Sequence, residues 1–344
     1  MHMADALLSP AVSATMWLSA AGLTAYASRR LPTQLEEDRV PLMGVLGAFV
    51  FAAQMLNFSI PGTGSSGHLV GAILLAALLG PCAAFLVMVS VLSIQAFFFA
   101  DGGLLALGCN IFNMAFLPCF IAYPLVYRPL ADKHLSLAAV LSAVIALQLG
   151  ALAVVLETSL SGISALPLAA FLALMQPIHL AIGLIEGLIT AAILAFIRRA
   201  EPGLLGQKSG ALPSRGRSAF TPVLIVFAVL AFCSAGFFVW FASSSPDGLE
   251  WSIEKLTGQT ELPPPEGIHA VIARLQESSA FFANYTLPAA AANVDAESVK
   301  QNNAWPNVES SVSIAGIAGA LITLFVSTLL GKSLRAYHAA AKRS

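Results

Sequence analysis

The chain has 344 residues, of which 58% are hydrophobic and only 10% charged, with a mean hydropathy of +0.82 and a formal net charge of −1. Soluble domains carry about 25% charged residues, and no globular core of this size can hide so much apolar surface. Lipid is the expected solvent, and nothing in the near-neutral charge suggests nucleic acid.

A helix needs about 20 apolar residues to cross the hydrocarbon core. Taken in chain order, apolar runs between breakers are 9–28, ended by Arg29-Arg30-Leu31-Pro32, and 40–58, ended by Ile60-Pro61-Gly62. A short run at 69–79 stops at Gly80-Pro81, and 82–100 stops at Asp101-Gly102-Gly103. Runs at 104–127, 135–158 and 168–197 follow, then a Gly- and Pro-rich polar linker at 200–219. Beyond it lie a span at 220–242, a long polar segment at 243–311 and a last span at 312–331. The expectation is an all-α integral membrane protein of about nine transmembrane helices, seven in residues 1–199 and two in residues 220–344. The 69–79 run is too short to span without tilt or distortion.

Orientation follows from the basic residues. With the N-terminus outside and the C-terminus cytoplasmic, fourteen of the seventeen Lys and Arg fall inside, leaving Lys255, Arg274 and Lys300 outside. That is the positive-inside bias. The outer segment 243–311 holds nine acidic residues against three basic ones. Its Pro263-Pro264-Pro265 and sparse apolar pattern predict little fixed structure before a short helix near 268–283. Such a loop can gather divalent cations by its field, and a merely solvated loop fits the charge too. Cys82, Cys109, Cys119 and Cys233 form no CxxC pair and read as thiols packed between helices. No basic residue precedes Arg29, so no signal peptide is expected and the mature chain should begin at or near Met1.

The topology also sorts the six histidines. His134 and His338 fall on the cytoplasmic side, His269 in the outer loop, His179 within the membrane, and His2 and His68 at the outer face. A histidine at position 2 is chemically special. A free α-amine, the backbone nitrogen of residue 2 and its imidazole can reach one ion in adjacent chelate rings. Planar nitrogen donors suit Ni(II) or Cu(II), whereas structural Zn takes a tetrahedron of side chains. His68 ends the run Pro61-Gly62-Thr63-Gly64-Ser65-Ser66-Gly67, whose glycines let a ligand approach closely, and is placed to give a fourth nitrogen. The helix start that follows would repel a cation by its dipole, so the imidazole itself must attract the ion. An incidental surface histidine is the plainer alternative.

Gln54, Gln95, Asn110, Asn113, Gln148, His179 and Glu186 lie in the lipid zone, where polar groups must face protein. Each is a functional candidate or an interhelical hydrogen bond that holds the bundle together. His179 and Glu186, seven residues apart, share a helix face. Gly44, Ala48 and Ala52 at four-residue spacing let another helix approach, from this chain or another subunit.

These residues resemble a known family: the substrate-specific M component of nickel/cobalt energy-coupling-factor transporters, fused to its N component. The resemblance rests on Met1-His2 with Asp5 and Leu7-Leu8, on Pro61 through Gly71, on Leu79-Gly80-Pro81, and on Val91 through Ala96. It continues in Gly102-Gly103, Leu107-Gly108, Asn110, Asn113-Met114, Pro177 through Gly183 with Glu186-Gly187, and Pro246-Asp247-Gly248-Leu249-Glu250. Ala6, Met3, Cys82 and Ala115 depart from the family pattern.

The resemblance implies seven helices in M, two in N, and a prokaryotic cell-membrane location. It also implies an outer metal site made by the Met1 amine, the His2 amide and imidazole, and His68. The ion is then a transported substrate rather than a resident cofactor. The Pro-Asp-Gly-Leu-Glu signature favours nickel over cobalt. No GxxxxGK[ST] occurs in the sequence, so the implied energy source is two ATPase subunits acting through a transmembrane coupling subunit. Gln95, Asn110 and Asn113, with His179 and Glu186, are candidates for orienting the ligands, and the Gly44/Ala48/Ala52 face for contact with the coupling subunit. Two other readings are an intramembrane metalloenzyme using His179 as ligand and Glu186 as base, which lacks HExxH, and a structural subunit without a ligand.

Overall fold

Prolines open several helices of this chain and glycines close several. A computed structural model describes residues 1–34, 39–205, 221–263, 265–287 and 305–341. The first helix, α1 (Pro10–Gln34), begins on a proline, and α2 (Val40–Gln54) and α4 (Pro81–Phe99) each carry one in the first turn, where no N–H is missed. Gly80 (φ 81°) ends α3 (Ala72–Leu79), and Gly162 (φ 64°) ends α6 (Leu135–Ser161). The other apolar helices are α5 (Leu107–Ala131), α7 (Leu168–Ala200), α8 (Thr221–Gly236) and α11 (Ser310–Ala341).

A helix thus lies in each expected apolar run. Among the described residues five of them (α4, α5, α6, α7 and α11) are long and apolar enough to cross a membrane, while α2 and α8 are shorter. Eight residues of helix rise only about 12 Å, so α3 cannot cross by itself; all its side chains are buried among its neighbours.

Three expectations are corrected. The 40–58 run leaves the helix after Gln54, and Phe58 opens a hairpin, β1 (Phe58–Ile60) against β2 (Ser65–Gly67), paired Phe58↔Gly67 and Ile60↔Ser65. Gly62 and Gly64, both at φ 78°, make its turn, a backbone region that side chains resist. The polar segment is also ordered earlier than expected, because α9 (Gly248–Thr257) precedes α10 (Ile268–Ser279). Asp247 starts α9 through a reciprocal cap. Its Oδ1 accepts from the Leu249 and Glu250 amides at 2.8 and 3.0 Å, and Glu250 Oε2 accepts from the Asp247 amide at 2.9 Å. Pro264 and residues 288–304 of that segment lie outside the described residues, as do linker residues 206–219 and the basic residues Lys208, Arg215, Arg217, Lys300, Lys342 and Arg343.

The third correction concerns Gly44, Ala48 and Ala52, which are covered by the chain itself. Both α8 and α11 pack on α2. A Cβ at Gly44 would strike Thr328 and the Leu324 carbonyl, and one at Gly47 would crowd Ser327 and Thr323. From the opposite side, Gly316 meets Met55 and Gly319 meets Phe51. Small residues on both helices let the backbones close up, which leaves no room for a second subunit there.

Two stretches wind loosely. Helix α4 widens to π-helical turns over Gln95–Phe99, and α5 does so over Phe112–Tyr127, which contains Pro118 and Pro124. Proline removes an N–H and crowds the preceding turn, so regular α winding is lost there. Ala100 (φ 54°) then stops α4, and the Asp101 amide donates to the Gln95 carbonyl.

The most extensive helix pair is α6 with α7. A Cβ at Gly187 would lie 2.7 Å from Val140 Cα, a backbone atom that cannot step aside. Gly187→Ala is therefore expected to cost about 1–3 kcal/mol through overpacking, read as a lowered Tm of the purified chain in detergent. Gly22→Ala, inside α1 with nothing within 4 Å, should leave the Tm unchanged or raise it, since alanine is the better helix former. Equal melting of the two variants would contradict this packing.

Candidate metal site

Three segments far apart in sequence meet at one end of the bundle. The first is the N-terminal stretch, pinned through its backbone. The Met3 amide donates to Asn110 Oδ1 at 2.8 Å, Asn110 Nδ2 donates back to the Met3 carbonyl at 3.3 Å, and the Gly103 amide donates to that same carbonyl at 2.9 Å. Asn113 sits deeper, donating to Glu157 at 2.8 Å and lying 3.7 Å from the Met3 sulfur. Asp5 anchors the stretch further along by accepting from the Ala106 amide at 3.0 Å.

The second segment carries His68 from the hairpin towards α3. Both Glu186 oxygens accept from this strip, from the Val70 and Gly71 amides at 2.9 and 3.0 Å. A carboxylate thereby sits at the start of α3 and offsets the dipole that would otherwise repel a cation. Gln54 donates to the Val70 carbonyl at 2.9 Å, Gln95 donates to Gln54 at 2.7 Å, and Gln95 Oε1 lies 3.2 Å from His2 Nε2. A relay of amides thus ties the two histidine-bearing segments together.

The third segment is Pro246-Asp247-Gly248. It lies along the hairpin edge, with the Ser66 amide donating to the Pro246 carbonyl at 2.7 Å. While Oδ1 of Asp247 caps α9, its Oδ2 pairs with the Met1 ammonium. The same ammonium nitrogen is 3.3 Å from His68 Nε2, and the His2 and His68 rings stack with centroids 5.3 Å apart.

Hydrogen-bond roles fix the protons. Gln54 spends its NH2 on the Val70 carbonyl, so its oxygen accepts from Gln95, and Gln95 Oε1 must accept from His2 Nε2. A neutral His2 then has a bare Nδ1, the nitrogen that closes a chelate with its own amide. Asp101 Oδ1 faces that nitrogen at 3.3 Å, two acceptors that a cation reconciles. His68 Nδ1 lies 3.3 Å from the Leu69 carbonyl and donates to it, which leaves Nε2 bare towards the amine. Two nitrogens at right angles around an ion with bonds of ~2.0–2.1 Å stand ~2.9 Å apart, close to the observed 3.3 Å. Among the described residues no group of three or more His, Cys, Asp or Glu side chains is placed to hold an ion.

Burial, helped by the neighbouring ammonium, pushes both imidazoles below their ordinary 6.5. Burial alone would raise Asp247, yet the neighbouring ammonium outweighs it and holds the carboxyl well below its ordinary 3.8. Two carboxylates against one ammonium leave the site net negative around neutral imidazoles.

Of the residues anticipated from sequence, Met1, His2, His68 and Gln95 meet directly. Asn110 and Asn113 act on Met3, and Glu186 acts on the His68 strip by accepting one amide on each oxygen. His179 borders the same place, in a small cavity shared with Met1, His68 and Asp247. Asp101 carries no site signal in the sequence, Asp247 enters there only within the Pro-Asp-Gly-Leu-Glu signature, and Gln54 only as one of the polar residues in the lipid zone. For Asp247 the signal was present in the Asp-x-x-Glu capping pattern.

A group whose folded pKa is depressed contributes stability above its unfolded pKa and loses it on acidification. For His2 and His68 that loss begins as the pH falls below 6.5, where the unfolded segments take up protons first. Hydrogen exchange at residues 1–8 and 65–71, corrected for intrinsic rates, should therefore speed up from pH 7 to pH 5. Asp247→Ala should loosen residues 1–8 and α9 at pH 7, with about 1 kcal/mol from the lost cap. Protection that stays flat across this pH range would contradict the assignment.

Comparison with known proteins identifies the family of the chain. Residues 2–204 match the family described as the cobalt uptake substrate-specific transmembrane region, and residues 221–336 match the PDGLE domain. The fused nickel transport protein NikMN of Rhodobacter capsulatus is 30% identical over 80% of this chain and 86% of its own length. The cobalt transport protein CbiM of Sorangium cellulosum is 33% identical over 60% of this chain and 95% of its own. A solved structure of a truncated transition metal transporter, 31% identical, superposes with a TM-score of 0.53 over 58% of this chain and 99% of that one. The chain therefore belongs to the family of cobalt-uptake substrate-specific transmembrane components, as a multi-pass membrane protein fused to a PDGLE domain.

Proposed function

We propose that this chain is the substrate-binding component of an ATP-driven energy-coupling-factor system that imports a divalent transition-metal ion, with nickel favoured over cobalt. The ion is captured outside by the Met1 amine, the His2 amide and Nδ1, and His68 Nε2, the Met1 ammonium and the His2 amide each releasing one proton to solvent as the ion binds. In this reading the chain crosses the membrane about nine times, seven in residues 1–199 and two in residues 220–344, with the N-terminus outside. The basic residues concentrated in the expected cytoplasmic pieces support that orientation.

The observation that carries the reading is the meeting of Met1, His2 and His68: the Met1 amine lies 3.3 Å from His68 Nε2, the His2 and His68 rings stack, and their other ring nitrogens are held by Gln95 and the Leu69 carbonyl. A planar nitrogen set suits Ni(II), and the nearby Asp101 and Asp247 lower the cost of bringing a double positive charge out of water. The PDGLE segment is then part of the capture site, since Asp247 touches the amine that must bind the ion. A coupling transmembrane subunit and two ATPase subunits supply the energy. With the Gly44/Ala48/Ala52 face occupied by α11, the coupling subunit docks elsewhere on the chain.

Titration of the purified chain with Ni(II) tests this. His2→Ala and His68→Ala should each weaken binding on the order of 100-fold or more, since losing a ligand costs at least as much as losing its supports. Adding one residue before Met1 should do the same without altering a side chain. Wild-type affinity in all three would end the proposal.

A further inference from the structure

Beyond Asp247, the PDGLE domain reaches the site at a second place. Hydrogen bonds from three residues seat α10 and the turn after it on the N-terminal stretch and the end of α4. His269 Nε2 donates to the Leu8 carbonyl at 2.8 Å, Gln276 Nε2 donates to the Ala96 and Gly102 carbonyls at 2.9 and 2.8 Å, and the Phe282 amide donates to the Phe98 carbonyl at 2.9 Å. Asn284 and Tyr285 follow, both in the left-handed region at φ 51° and 58° without being glycine. Such residues are uncommon, cost free energy and persist only where the surrounding contacts hold them.

The contacts that hold them belong to the Tyr285 side chain. Its ring packs on Phe99 with centroids 4.9 Å apart, and its hydroxyl donates to Asp101 Oδ2 at 2.5 Å. The backbone of Asp101 is fixed too, because its amide donates to the Gln95 carbonyl at 3.1 Å and Gln276 holds the carbonyl of Gly102. With Oδ2 taken by the hydroxyl, Oδ1 stands 3.3 Å from His2 Nδ1. In neutral His2 that nitrogen is an acceptor as well, so without a cation the two repel. The Asp101 side chain is 27% exposed and has water to turn to. The Tyr285 hydroxyl keeps it from turning.

We infer that Tyr285 is a positioning residue for metal capture: by holding Asp101 Oδ2 it keeps Oδ1 beside His2 Nδ1, so that negative charge is in place before the ion arrives. This rests on the proposed capture by Met1, His2 and His68. A group oriented in advance strengthens binding because no reorganisation is left to be done when the ion enters. The PDGLE domain then acts on two flanks of the site, through Asp247 at the Met1 amine and through Tyr285 at His2.

Tyr285→Phe keeps the ring and removes only the hydroxyl. In Ni(II) titrations of the full chain it should weaken binding about 10-fold or more, the usual effect of losing a group that orients a metal site, and Asp101→Ala should do the same. Adding Tyr285→Phe to Asp101→Ala should cause no further loss, because the first acts through the second. Wild-type affinity in Tyr285→Phe would overturn the inference. So would losses that multiply in the double variant, the result of damaged packing alone. Should Tyr285→Phe fail to fold, NMR of the unaltered chain, isotope-labelled at tyrosine Cζ, decides. One of its five tyrosine signals should move on Ni(II) loading, and five unmoved signals would overturn the inference. Failure of the underlying capture site shows differently, as Ni(II) binding that survives both His2→Ala and His68→Ala.

Discussion

A buried ammonium group must be matched by charge and hydrogen bonds, or burying it costs more than folding returns. In this chain the group is the Met1 amine, and its partners are Asp247, 246 residues away, and His68. Truncating Asp247 would leave a buried cation beside two neutral imidazoles. The rest of the site can be traced from this contact: it sets where the N-terminus stops, why the hairpin folds over it, and why the PDGLE segment leans on the hairpin edge.

Asp247 divides its two oxygens between separate tasks. One caps α9 and fixes the start of a helix; the other meets the amine. A charge that organises local secondary structure is thereby made to report on the N-terminus of the chain. The parts are joined again inside the membrane, where α2 takes α8 and α11 against its glycines and ends in Gln54, the middle of the amide relay between His2 and Val70. The C-terminal helices and the proposed ligands therefore share one rigid support.

Polar residues within the bundle illustrate how costly groups are settled. Gln148 and Gln176 donate to each other's carbonyls at 2.9 and 3.3 Å across α6 and α7, an interhelical tie. Glu186 satisfies both oxygens on the backbone ahead of α3 and steadies the strip that bears His68. His179 has no hydrogen-bond partner at Nε2 among the described residues and borders the small cavity that Met1, His68 and Asp247 also line.

The amino-acid sequence determined the elements. Apolar runs set by lipid thickness and stopped at Gly80-Pro81 and Asp101-Gly102-Gly103 mark helices that end there, whereas α1 continues through Arg29-Arg30 to Gln34. Position 2 and the Gly-rich run to His68 made the nitrogen donors legible, because their chemistry depends on local spacing. Only the tertiary structure decided what covers Gly44, Ala48 and Ala52, that Phe58 turns into a strand, and that Asp247 and Asp101 stand at the donors. Small-residue faces and lone carboxylates carry no mark of their partner in sequence. Which surface meets them is set by the packing of whole helices, and over separations such as that between Met1 and Asp247 no local pattern encodes it.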